Sequence, residues 1–118
     1  MGRRGREKAR RDVASAPTSA YRDEDGSVLV LRGSLTPATR RAYAETLRGG
    51  LHREDARARA IELLFERLAA GWTINGLETT RQKELLGRYR MASAAEREFV
   101  LESLRAHLAE NFPELETP

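Results

Sequence analysis

The residues with the clearest chemical capacity are basic side chains near the start of the sequence. Six of them fall within the first eleven positions: Arg3, Arg4, Arg6, Lys8, Arg10 and Arg11. Guanidinium and ammonium groups bind phosphate oxygens, and a run of them neutralises several phosphates of DNA or RNA without reading the bases. The run therefore predicts an arm that contacts nucleic acid non-specifically. A segment that serves only solubility is the alternative.

Residue patterns for catalysis or metal binding are absent from the sequence. His52 and His107 are the only histidines and lie far apart, and the chain contains no cysteine. Ser34 follows Gly33, but the second glycine of a nucleophile elbow is missing. We therefore predict no metal site, no cofactor, no small-molecule substrate and no enzymatic activity.

A helix-turn-helix between Arg81 and His107 is the sharpest sequence-specific DNA-binding hypothesis. The turn lacks its usual glycine, with Arg90 in that place. The second helix would also bring Glu96, Glu98 and Glu102 towards the phosphates that flank the major groove. This repulsion favours a plain pair of helices over a DNA-reading motif.

The charge is distributed unevenly along the chain. Residues 1–12 hold six basic and two acidic side chains, a net charge of +4, whereas the remaining residues hold 15 basic and 16 acidic ones, a net charge of −1. The overall charge of +3 therefore arises in the arm. Within the body, residues 32–67 carry eight arginines against five acids, and we predict that Arg40 and Arg41 add phosphate contacts there.

Length and composition predict one small domain. A chain of 118 residues, 40% hydrophobic and 33% charged, supports a single modest core. The sequence has neither a long apolar window nor an apolar stretch behind the basic segment, so we expect no membrane contact and a cytoplasmic location. We expect residues 1–19 to form a disordered basic tail and residues 20–118 to form one helical domain.

The predicted fold is mainly α, a four-helix body preceded by a short β-hairpin. The hairpin is expected between Tyr21 and Leu31, with a turn at residues 23–26 and a contiguous apolar strand at residues 27–31 that should be covered on both faces. Helices are expected over residues 36–48, from about 52 to Gly71, over 80–90 and from 93 to about 111.

The segment from Trp72 to Thr79 has two interpretations. Asn75-Gly76 is typical of a type I′ turn, so one interpretation is a second small hairpin that adds to the 27–31 strand. The other is an irregular loop whose Trp72 and Ile74 are pinned into the core.

Two functions remain open after these exclusions. The first is a nucleic-acid-associated accessory protein that uses the arm. The second is a protein–protein adaptor or homo-oligomer with an incidental tail. Its predicted interface is formed by the apolar 28–31 strand with Val28 and Val30, by Trp72 and by the helix faces, where Leu63 is expected outside the core stripe of its helix.

Overall fold

The computed structural model of the chain describes residues 16–118, and the predicted disorder of residues 1–15 lies outside them. In this part, four strands form one antiparallel sheet in the order β1-β2-β3-β4. The strands are β1 (Thr18–Arg22), β2 (Val28–Arg32), β3 (Ala69–Ile74) and β4 (Leu77–Thr79). The helices are α1 (Pro37–Arg48), α2 (Arg53–Leu68), α3 (Gln82–Arg90) and α4 (Ala94–Asn111).

The prediction of a mainly α fold is wrong, because the described part is an α+β fold rather than an all-helical bundle with a short hairpin. The largest local difference is at the end of α2. The sequence pattern extends this helix to Gly71, whereas the helix ends at Leu68 and β3 begins at Ala69. Alanine favours helices, but pairing of β3 with β2 outweighs that local preference.

The strands are joined by turns that the sequence signals locally. Between β1 and β2, Asp23 accepts a hydrogen bond from the amide of Ser27 at 2.8 Å, and Gly26 has a φ of +85°. Between β3 and β4, Asn75 and Gly76 have φ values of +51° and +79°, as a type I′ turn requires. Of the two interpretations of residues 72–79, the hairpin is therefore confirmed. Thr18 and Ser19, which the sequence assigns to the tail, are the first residues of β1.

Two helices begin at side-chain caps that the sequence predicts. Thr36 accepts a hydrogen bond from the amide of Thr39 at 3.1 Å, and Pro37 occupies the first turn of α1. At the start of α4, Ser93 and Glu96 form a reciprocal capping box. These caps satisfy amide groups that have no partner within the helix, so they fix where each helix begins.

The core lies between one face of the sheet and the helices. Leu29, Leu31 and Trp72 project from this inner face and are at most 1% exposed. They belong to one buried cluster with Leu64 of α2 and Leu104 of α4. The side chains of a strand alternate between faces, so the neighbours of these three residues project from the other side of the sheet.

That other side is covered by none of the helices in the described part. We call it the open face and define it by five residues of β1, β2 and β3: Ala20, Val28, Val30, Gly71 and Thr73. Neither Val28 nor Val30 packs against the core cluster. The expectation that both faces of the 27–31 strand are covered is therefore not met within residues 16–118.

A matched pair of glycine substitutions tests the backbone conformation of the β3–β4 turn and of α3. Gly76 adopts a positive φ that L-residues rarely adopt, so Gly76→Ala should lower the free energy of unfolding by about 1–2 kcal/mol. Gly87 lies within α3, and a methyl group there meets no atom within 4 Å. Gly87→Ala should therefore raise the free energy of unfolding by about 0.5–1 kcal/mol. Urea denaturation of both variants measures the two signs, and two changes of the same sign would contradict the assigned backbone.

Candidate binding surfaces

One group of arginines joins the helices to one another. Arg88 of α3 pairs with Glu96 of α4 at 2.5 Å, and its guanidinium carbon lies 5.4 Å from the ring centre of Trp72. Arg90 pairs with Glu62 of α2, also at 2.5 Å. These side chains have acidic partners inside the domain, so they contribute to packing rather than to an interaction surface.

Arg40, a predicted phosphate contact, belongs to the same structural group. Its guanidinium is 2.7 Å from the carboxylate of Glu114 and 5.3 Å from the ring centre of Phe112. Both partners follow the buried part of α4, so Arg40 fastens the chain after α4 to α1. The neighbouring Arg41 is exposed and has no acidic partner among the described residues.

A second group of arginines lacks acidic partners in residues 16–118 and gathers on α1 and α2. It comprises Arg41, Arg48, Arg53, Arg57 and Arg59, and we call it the free arginine group; Arg67, which also has no acidic partner in residues 16–118, is at the far end of α2 and is not counted in it. Arg48 reaches only the carbonyl oxygen of Ala44 in its own helix, at 3.4 Å. A guanidinium that is not held by a carboxylate keeps its donors available for an anion from outside the domain.

Three members of this group lie at the connection between α1 and α2. Arg48 ends α1, Arg53 begins α2, and a guanidinium nitrogen of Arg59 lies against Gly50 between them. Leu51 stands in this connection with its side chain 98% exposed. We call residues 48–53 the helical tip. It combines positive charge with one solvent-exposed apolar side chain.

The arm itself, Arg3 to Arg11, lies outside the described residues. The chain after it is anchored where the amide of Gly33 donates to the carbonyl oxygen of Pro17 at 2.8 Å. Gly33 follows β2 and precedes α1, so the arm joins the domain near the start of α1. The helical tip lies at the opposite end of α1, about 18 Å away for a helix of 12 residues.

The predicted protein-interface residues occupy three different environments. Val28 and Val30 lie on the open face and are half-buried. Leu63 is partly buried and packs against the core. Trp72 is 1% exposed and stacks edge-on against Phe65, so it is a core residue and is not presented to a partner. Only the two valines share a surface.

A buried polar cluster, which the sequence does not signal, joins α4 to the sheet. His107 is completely buried, with Nε2 donating to the carbonyl oxygen of Arg32 at 2.7 Å and Nδ1 accepting from the hydroxyl of Tyr21 at 2.8 Å. The side-chain amide of Asn111 is 3.2 Å from Nδ1. Burial lowers the pKa of His107, opposed in part by its bond to the Arg32 carbonyl. A neutral imidazole in this arrangement binds β1 and β2 to α4.

A shallow cleft of about 250 Å³ lies beside the chain that follows α4. The hydroxyl of Tyr43 donates to the carbonyl oxygen of Glu116 at 2.5 Å on one wall, and Leu47 and Leu115 line the rest. Burial, with the nearby Glu116 carboxylate, raises the pKa of Tyr43 to about 12. The phenol therefore stays protonated at neutral pH and holds the two segments together.

No group of three histidine, aspartate or glutamate side chains in residues 16–118 is placed to hold a metal ion. No helix in the same range combines the length and apolar character needed to cross a bilayer.

No protein-family model, curated protein or solved structure matches this chain. Its candidate surfaces are therefore defined by their own geometry: the free arginine group, the helical tip and the open face of the sheet.

The His107 cluster predicts a stability that decreases at mildly acidic pH. The pKa of an unfolded histidine is about 6.5, and that of native His107 is lower. Between the two values the unfolded state binds a proton that the native state does not, so the free energy of unfolding falls as pH drops from about 7 towards 5. Urea denaturation followed by the fluorescence of Trp72 across this range measures the slope.

Two variants separate His107 from the other titrating groups. His107→Gln should be less stable at pH 7 but should lose most of this slope, because it cannot take up the proton. His52 is exposed, so His52→Gln should keep the slope of the unchanged protein. An unchanged slope in His107→Gln would contradict the prediction.

Proposed function

We propose that this protein is a non-enzymatic accessory protein that binds DNA or RNA non-specifically through phosphates. The Arg-rich arm is the primary contact, and the free arginine group on α1 and α2 is the contact supplied by the folded domain. The observation that carries the proposal is the division of the arginines into two groups. Arg40, Arg88 and Arg90 are held by the carboxylates of Glu114, Glu96 and Glu62, whereas the members of the free arginine group have no acidic partner in residues 16–118.

The distances are compatible with one continuous binding path. A segment of fifteen residues reaches up to about 50 Å when extended, and the helical tip lies about 18 Å along α1 from the region where the arm joins. Arm and tip can therefore contact the same polymer. Arg41, which is exposed on α1, lies between these points, seven residues before Arg48 of the helical tip.

The charge balance gives the arm and the free arginine group different roles in binding. The domain without residues 1–12 has a net charge of −1, so long-range attraction to a polyanion comes from the arm. The free arginine group adds short-range contacts once the polymer is close. Affinity that rests on phosphates in this way falls steeply with salt and depends weakly on base sequence.

Binding through the arm is tested by replacing its six basic residues with glutamine in the full chain. Anisotropy of a labelled duplex DNA and of a single-stranded RNA is measured between about 50 and 200 mM salt. For the unchanged protein, the logarithm of the binding constant should fall linearly with the logarithm of salt. Each phosphate contact contributes about 0.9 to the slope on duplex DNA, so the variant should lose about 5. Absence of binding by the unchanged protein at low salt would refute the proposal.

The contribution of the folded domain is tested by a pair of double variants with equal charge change. Arg48→Gln with Arg53→Gln removes two members of the helical tip and should lower the salt slope by about 2. Arg67→Gln with Lys83→Gln removes two exposed basic residues away from the tip that have no acidic partner in the described part. This control should leave the slope unchanged, and equal losses in both variants would show that charge alone matters.

A further inference from the structure

The open face of the sheet departs from the usual pattern of an antiparallel sheet. A face without covering helices normally carries polar side chains, because it meets water. Here its centre consists of Val28, Val30, Ala20 and Gly71, with Thr73 beside them. Within residues 16–118 no helix covers these side chains, and the valines do not pack against the core. The open face therefore has an apolar centre that no helix of the described domain covers, flanked on β2 by Arg32, whose guanidinium donates to the carbonyl oxygen of Ala69 at 2.7 Å.

The charges at its two edges are opposite and occupy one row. The strand register aligns Arg22 of β1 with Val28 of β2, Val28 with Thr73 of β3, and Thr73 with Glu78 of β4. Arg22 and Glu78 are both exposed, and neither has an ion-pair partner among the described residues. Three strand spacings separate them, about 14 Å. They are therefore too far apart to pair within one chain.

This pattern is complementary to a second copy of itself. We propose that two copies of the chain associate face to face through the open faces of their sheets. A twofold axis parallel to the strands places β1 of one copy opposite β4 of the other. Arg22 then faces Glu78 of the partner subunit, and the symmetry repeats this ion pair at the opposite edge.

The same axis brings a valine opposite a glycine at one position and opposite a threonine at another. Val30 of β2 faces Gly71 of the partner subunit on β3, and Val28 faces Thr73 of the partner subunit. A twofold axis perpendicular to the strands that passes through the row of Arg22 and Glu78 would instead place Arg22 against a second Arg22 and Glu78 against a second Glu78. Like charges in contact disfavour that arrangement, and a perpendicular axis through another row leaves both charges unpaired, so the charge pattern favours the axis parallel to the strands.

The size of the surface sets the expected strength of association. Four strands and about five residues along each give an area of about 300 Å² per copy, below that of a standard specific interface. We therefore expect a weak dimer that dissociates on dilution into the micromolar range. This inference does not depend on nucleic-acid binding.

The test is the oligomeric state of the full chain by sedimentation across a dilution series. The monomer has a mass of 13.3 kDa, and the average mass should rise towards twice that value with concentration. Val30→Lys places a charge at the centre of the open face, away from the core, and should abolish the dimer while the urea midpoint stays close to that of the unchanged protein. A persistent monomer at high concentration would overturn the proposal, as would a dimer that Val30→Lys leaves intact. Coverage of the open face by residues 1–15 of the same chain would give that persistent monomer.

Charge reversal at the edges tests the axis. Arg22→Glu alone should weaken dimerisation by about tenfold, because it sets like charges opposite each other twice per dimer. Combining Arg22→Glu with Glu78→Arg should restore the dimer, because the reversed pair is again complementary. Arg67→Glu, an exposed arginine on α2, is the control and should leave dimerisation unchanged. If the double variant dimerises no better than Arg22→Glu alone, the proposed axis is overturned.

Discussion

The burial of one side of the sheet under the helices is the constraint on which the rest of the described structure depends. Leu29, Leu31 and Trp72 must leave water, and the apolar stripes of α2 and α4 supply the surface that covers them. That requirement determines which side of each strand faces inward, because a shift by one residue would expose every inner side chain. It also brings His107 to the carbonyl of Arg32, where the imidazole satisfies a polar group at the edge of the core.

The two groups of arginines follow from the same arrangement. Helices packed side by side on one face bring α3 and α4 close enough for Arg88 to reach Glu96, and α2 and α3 close enough for Arg90 to reach Glu62. The connection between α1 and α2 projects away from these contacts and keeps its arginines without acidic partners in the described part. If two copies associate through the open faces, each dimer presents two arms and two helical tips. Linked sites of this kind raise the apparent affinity for a long polymer without any new contact.

The candidate surfaces could be predicted only in part from the sequence. The run of contiguous valines and leucines predicted a strand covered on both faces, whereas Val28 and Val30 lie together on the open face, which no helix of the described part covers. Trp72 gave the same apolar signal but lies in the core, because the register of β3 points it inward. Arg40 and Arg41 are adjacent and chemically identical, yet only Arg40 meets a carboxylate. The partner, Glu114, is 74 positions away, and no local pattern reports such a contact.

Signals that act within a few residues were sufficient for the sequence to determine the helix starts at Thr36 and Ser93, both turns and the Arg-rich composition of the arm. Capping and positive φ depend on neighbouring side chains and backbone, so they do not require knowledge of the rest of the fold. The tertiary structure alone decided that residues 69–71 form a strand, that the hairpins join into one sheet, and that His107 is buried. It also decided which arginines of residues 16–118 pair with a carboxylate and which do not. These features depend on contacts between distant segments, and the free energy of such contacts outweighs local propensity.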